Sequence, residues 1–105
     1  MDPVFIYMTA GSPDEARRIA RALVDERLAA CVNVIDGMTS IYRWEGAVEE
    51  GRETVMIAKT RRDRFDDLAR RVRELHSYAV PCIVEIPLGR GDAPYLDWLR
   101  AESAP

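Results

Sequence analysis

Val72-Arg73-Glu74-Leu75-His76-Ser77-Tyr78-Ala79-Val80-Pro81-Cys82-Ile83-Val84-Glu85-Ile86-Pro87-Leu88-Gly89 contains the only histidine of the chain, one of its two cysteines, and a change of hydrophobic period. Val72 and Leu75 continue an apolar spacing of three to four that starts at Phe65 and Leu68, so one helical face stays dry up to His76. Pro81 disfavours helix at Val80, and Cys82-Ile83-Val84-Glu85-Ile86 is rich in β-branched residues, with Pro87 and Gly89 closing it. His76 is therefore expected at a helix C-terminus facing the start of a strand, where the helix dipole favours its protonated form. A histidine in that place is a ligand, an acid, or a plain cap on the last carbonyls.

Working outward, Thr60 or Arg61 opens the helix that delivers the chain to His76, and Glu53–Thr60 before it reads as a strand apolar on both faces. Upstream, Cys31–Ile35 and Thr39–Trp44 have strand character, with Asp36-Gly37 as a bulge between them. Glu45-Gly46 reads as a second kink and Glu49-Glu50-Gly51 as the hairpin turn. Val4–Met8 is continuously apolar, as a central strand requires. Ser12-Pro13-Asp14-Glu15 has a helix cap, a proline at the first position and the glutamate of a capping box, and Ala16, Ile19, Ala20, Leu23 and Leu28 extend that helix to about Leu28. Asp92 caps a last short helix with Tyr95, Leu96 and Leu99 on one face and Trp98 beside it, and Ala101–Pro105 carries nothing. Strand, helix, strand, strand, helix, strand and a small helix make an α+β, ferredoxin-like split βαβ domain over residues 1–105, with two helices on one face of a four-stranded antiparallel sheet.

One element does not fit a domain this small. The strand region from Ala30 to Val48 far exceeds the usual five or six residues, and Tyr42 and Trp44 project beyond the rest. Other copies of the chain, closing a ring edge to edge, are the simplest cover for them.

The composition, 48% hydrophobic and 31% charged, is that of a soluble globular protein, and a net charge of −3 argues against nucleic acid as a partner. No apolar run approaches membrane-spanning length, and the N-terminus has no basic region or cleavage pattern, so cytoplasm is the expected location. Fourteen of the fifteen cations are arginine. The cluster at 61, 62, 64, 70, 71 and 73 is balanced by Asp63, Asp66, Asp67 and Glu74, as on a solvated helix face. Cys31 and Cys82 are far apart with no C-x-x-C, so reduced, half-buried thiols are expected. The strand Glu53–Thr60 lacks the stacking aromatics of an RNA-recognition sheet, and the loop after Met8 lacks the cysteine pair of a copper chaperone.

Leu28-Ala29-Ala30-Cys31-Val32-Asn33, Ser40-Ile41-Tyr42-Arg43-Trp44-Glu45-Gly46 with Val48-Glu49, Lys59-Thr60, His76-Ser77-Tyr78-Ala79-Val80-Pro81 and Tyr95-Leu96-Asp97-Trp98-Leu99 together resemble the CutA family of divalent-cation tolerance proteins, in order over nearly the whole chain. The resemblance implies a ferredoxin-like homotrimer similar to that of the signalling PII proteins, a role tied to copper or other divalent ions, and no organic cofactor. Bacterial members proposed to bind copper carry a cysteine near the end of the first strand and a His-His pair. Here the matching positions are Met8, Leu75 and His76, of which leucine cannot ligate. The family's His-Pro-Tyr-Glu-Val-Pro-Glu reads His76-Ser77-Tyr78-Ala79-Val80-Pro81-Cys82, without either glutamate and with a thiol gained.

The leading expectation is a non-enzymatic cytoplasmic trimer that takes Cu(II), another divalent cation or a small effector in a cleft between subunits. Its metal candidates are His76, Cys82, Cys31 and Met8, and Tyr42, Trp44, Glu53, Lys59 and Tyr78 shape the cleft. Each has a plainer role: core for Met8, a carboxylate-paired strand-end lysine for Lys59, intersubunit packing for Tyr42 and Trp44. Two alternatives are a PII-like scaffold that docks partners, and a small hydrolase using Cys31 or Cys82 with His76.

Overall fold

A computed structural model describes residues 2–105. Its strands are β1 (Pro3–Ala10), β2 (Cys31–Trp44), β3 (Ala47–Arg61) and β4 (Ile83–Pro87), and its helices α1 (Pro13–Asp25), α2 (Phe65–Leu75) and α3 (Ala93–Glu102). The sheet order is β2-β3-β1-β4, all neighbours antiparallel, which is the expected split βαβ topology. β1 is central, as its continuous apolar run requires. Val4, Ile6 and Met8 point to the helices and are fully buried with Met56, Ala58, Ile19, Leu23, Leu68 and Val72.

The opposite face carries no helix over most of its area. Register places Phe5 beside Lys59, Lys59 beside Cys31, Tyr7 beside Ile57, and Thr9 beside Val55 on it. β4 adds Val84 opposite Tyr7 and Ile86 opposite Phe5. Val84 and Ile86 are exposed, and among the described residues only α3 covers a corner, setting the Tyr95 ring 5.6 Å from Lys59 Nζ.

α1 starts as expected, with Pro13 after the Ser12 cap and the Glu15 N–H donating to Ser12 Oγ at 3.2 Å. It stops three residues short of Leu28, because Arg27 turns left-handed at φ 60°. The N–H of Leu28 then reaches the Leu23 carbonyl and that of Arg27 the Val24 carbonyl, a Schellman closure that leaves Leu28 packed in the core without being helical. α2 follows a 3-10 turn at Arg62–Arg64, and its Phe65, Leu68, Val72 and Leu75 meet the core as their spacing predicts. Its arginines are neutralised as expected by Asp67, which pairs with Arg70 at 2.9 Å, and by Glu74 beside Arg71, and Arg71 also grips Glu26 at the end of α1. The tail also contributes, since Ser103 is fully buried with its hydroxyl donating to the Leu99 carbonyl.

The hairpin differs most from expectation. Its turn is Glu45-Gly46, with φ of 49° and 82°, closing Trp44 against Ala47, whereas Glu49, Glu50 and Gly51 stay extended opposite Tyr42, Ile41 and Ser40. Consecutive left-handed residues define a two-residue turn whose twist matches the strands, and only glycine adopts the second position freely. β3 thus begins at Ala47 rather than Glu53, so the second arm of the hairpin is longer than anticipated and the first ends earlier, at Trp44. The bulge between Ile35 and Met38, with Gly37 at φ 81°, lies where Asp36-Gly37 predicted it. The molecule measures 44 × 26 × 22 Å with a radius of gyration of 14.2 Å, above the roughly 13 Å of a rounded domain of this length. The projecting hairpin accounts for the excess, with Ile41 and Val48 exposed on one face and Tyr42 and Trp44 on the other.

Candidate functional site

Along the projecting hairpin, on the helix-free face, lies a cleft of about 450 Å³. β1 contributes Thr9, β2 contributes Tyr42 and Trp44, β3 contributes Glu53, and the α2–β4 connection contributes Tyr78, Ala79, Val80 and Cys82. Four expected cleft residues, Tyr42, Trp44, Glu53 and Tyr78, are therefore together, with Cys82. Thr9, Ala79 and Val80 were not anticipated. Alternation along β1 places Thr9 on the same face as Phe5 and Tyr7, a signal available once that face is known to be the open one.

The connection is shaped by His76. Its N–H caps α2 on the Val72 carbonyl, and its ring lies 4.7 Å from that of Tyr78. Nε2 donates to the Thr9 carbonyl at 2.7 Å, and Nδ1 accepts the N–H of Tyr78 at 3.0 Å. A carbonyl only accepts and an amide N–H only donates, so this pair of bonds selects the imidazole with its proton on Nε2 and leaves no free lone pair. His76 is a buried strap under the cleft, and the helix-end imidazolium suggested by the dipole gives way to these two bonds.

Glu15 completes the strap from the other side. Its carboxylate accepts from the Gly11 N–H at 3.1 Å and the Ser77 N–H at 2.8 Å, one residue beyond the Ser12 amide that a capping box would use. Burial works to raise this carboxyl, but hydrogen bonds from the Ser77 hydroxyl, the Ser77 amide and the Gly11 amide outweigh it and hold the group below the usual carboxylate range.

Tyr78 donates its phenol to Glu53 Oε2 at 3.0 Å. Burial first, then the bond to Glu53 and the surrounding negative charge, push this phenol up to about 12. The Cys82 thiol is raised too, by burial and then by the Glu53 charge. A spectrophotometric titration should show one of the four tyrosines ionising roughly two pH units above the ordinary value near 10. Glu53→Gln should bring it back towards the others. The fold favours the neutral phenol, so its contribution is complete below about pH 10 and is lost as pH rises through about 12.

The remaining candidates lie elsewhere. Met8 is fully buried on the helix side of β1. Cys31 and Lys59 face each other across β2 and β3 on the open face, but six residues along β3 from Glu53 amounts to about 20 Å. Lys59 Nζ sits over the rings of Phe5 and Tyr95, and no carboxylate among the described residues pairs with it, so the expected ion pair is absent. Cys31 and Cys82 are free and half-buried, as expected. The four metal candidates thus do not converge, and no group of three histidine, cysteine or carboxylate side chains among the described residues surrounds a common point. The donors of one chain do not fit a metal ion. The imidazole lone pair is occupied, the thioether is in the core, and the thiol within reach is held protonated.

Fold and site together define a ferredoxin-like α+β protein with a long projecting hairpin and an aromatic cleft beside it. Residues 4–102 match the family model of the CutA1 divalent ion tolerance protein. The chain belongs to this family. It is 52% identical over 95 residues to the divalent-cation tolerance protein CutA of Thermus thermophilus, covering 90% of this chain and 92% of that one. The solved structure of the T. thermophilus protein superposes with a TM-score of 0.95, covering 97% and 99% of the two chains at 48% identity. That of Archaeoglobus fulgidus CutA, described as a periplasmic divalent cation tolerance protein, gives 0.94 at 43% identity over 97% and 99%. No helix among the described residues is long and apolar enough to cross a membrane.

Proposed function

We propose that this chain serves divalent-cation tolerance as a homotrimeric, non-enzymatic binding protein of the cytoplasm, taking a small ligand in the cleft beside the β2–β3 hairpin. The observation that carries the proposal is the hairpin itself. It extends past the helices with apolar side chains on both faces, above a sheet face whose Ile35, Val84 and Ile86 are bare in the single chain. Burying such a surface against sister chains is strongly favourable, and a neighbour lying along the hairpin would close the open side of the cleft. Three is the number implied by the family resemblance.

Binding is favoured over catalysis because a thiol held protonated is a poor nucleophile and the imidazole has both nitrogens engaged. A Cu(II) or other divalent ion in this cleft would draw on Cys82 and Glu53, with further donors from a second copy. His76, Met8 and Cys31 would not take part.

Sedimentation at dilute concentration is the test. The wild-type chain should sediment as three copies, and Ile41→Glu/Val48→Glu, on the face away from the cleft, should dissociate it. A compact single chain with tryptophans shielded from quenchers would overturn the proposal. Any zinc or copper binding by the assembled protein should fall in Cys82→Ser and not in a histidine substitution that keeps the fold.

A further inference from the structure

The cleft has a charge and no counter-ion. Glu53 accepts from the Tyr78 phenol through one oxygen, and among the described residues no lysine or arginine lies within ion-pair distance of it. Register puts Glu49 on the same face of the hairpin, opposite Tyr42, which adds a second negative charge near the mouth. The cleft that holds this carboxylate is lined further by Tyr42, Trp44, Tyr78, Ala79 and Val80, of which Tyr78 bonds to it directly. A carboxylate left without a cation in a half-buried, largely apolar recess is costly unless its occupant is positive.

The chemistry of the walls decides what kind of cation. A metal ion demands four or more donors and sheds its water only when they are supplied. Here there is one carboxylate, and the phenol and thiol beside it are both pushed towards their protonated forms. Ring faces and methyl groups repel a hydrated ion but suit a cation that spreads its charge over alkyl groups. Such a cation is drawn to aromatic faces by their quadrupole while its carbon surface leaves water. About 450 Å³ accommodates a ligand of several heavy atoms.

We propose that the cleft binds an organic ammonium cation, its charge against the free oxygen of Glu53 and its alkyl groups against the rings of Tyr42, Trp44 and Tyr78. The inference rests on the cleft being the ligand site of the protein and supplies the class of ligand. In the assembly a neighbour would shut such a cation away from water, which strengthens its attraction to Glu53.

The probe is choline, with 3,3-dimethylbutan-1-ol as its neutral isostere. Trp98→Phe leaves Trp44 as the single indole, so fluorescence reports on the cleft, and calorimetry on the unsubstituted protein gives the affinity. Choline should give a saturable change, and the isostere should bind about tenfold more weakly or worse, as loss of the charge and cation–π terms predicts. Glu53→Gln, which keeps an acceptor for Tyr78, should cost at least as much. Glu50→Gln, on the other face of the same strand opposite Ile41, should cost nothing. Equal binding of choline and the isostere, or choline binding indifferent to Glu53→Gln, overturns the inference. Sedimentation of the same samples separates the two proposals. A trimer with no saturable response up to about 50 mM choline overturns the ammonium site and leaves the assembly standing. A single chain that binds choline through Glu53 upholds the site and removes the assembly.

Discussion

His76→Ala lowers the unfolding free energy by about 3 kcal/mol, measured as a shift of the urea midpoint with unchanged slope. The side chain is wholly buried, and both ring nitrogens serve backbone groups, the Thr9 carbonyl and the Tyr78 amide. The β1–β4 ladder ends at Met8 opposite Ile83, one residue short of Thr9, so the imidazole takes over where β4 has not yet begun. Truncation leaves the Thr9 carbonyl and the Tyr78 amide unpaired, each costing roughly 1–3 kcal/mol, and removes the ring packed against Tyr78. Part of that cost is returned by water entering from the cleft, so the sum falls near the middle of the range. His76→Gln should recover a fraction, because its amide nitrogen falls near Nε2 and can donate to Thr9, while the Tyr78 bond stays lost. Unchanged stability in His76→Ala together with abolished ion affinity would make His76 a ligand and refute its structural role.

His76 also shows where sequence alone stops. Residue type, the end of the apolar stripe and the following Pro81 locate it at a helix terminus, and the structure has it there. Which atoms its ring meets depends on Thr9, 67 positions away, and that is set by the crossing of β1 past the end of α2. Ser12, the Asp36-Gly37 bulge and the stripe of α2 are local signals, and they are legible because the chemistry that causes each lies within a few residues. The hairpin turn was also local but ambiguous. Two glycine-bearing stretches, Glu45-Gly46 and Glu49-Glu50-Gly51, compete on paper, and only the strand register chooses between them. Met8 and Lys59 are problems of parity and distance. A strand apolar on both faces gives no sign of which side is helical, so Met8 cannot be told from Tyr7 until the helices are placed. Lys59 and Glu53 share a face and a strand, yet lie six residues apart along it.

Glu15 is the second position where a single change should be felt widely. Read locally it is a capping-box glutamate, whose loss from an exposed helix start costs about 1 kcal/mol. In the fold its carboxylate joins Gly11, before α1, to Ser77, after α2, and is largely buried while doing so. Glu15→Ala strips acceptors from two amides and the Ser77 hydroxyl at once, so about 2–4 kcal/mol is expected. Glu15→Gln, which keeps one acceptor oxygen, should cost less. The carboxyl is held below its ordinary 4.5 in the folded state, so the unfolded chain takes up the proton first on acidification. The stabilisation is complete above the unfolded value and is lost as pH falls through the lower folded one. The stability gap between wild type and Glu15→Gln should therefore be constant above about pH 5.5 and shrink below about 4.5, while the remaining carboxylates cancel in the difference. A gap that widened on acidification would mean that burial, which works to raise this carboxyl, outweighs its hydrogen bonds. The link from Gly11 to Ser77 could then not be what holds Tyr78 against Glu53, and the shape of the cleft would need another cause.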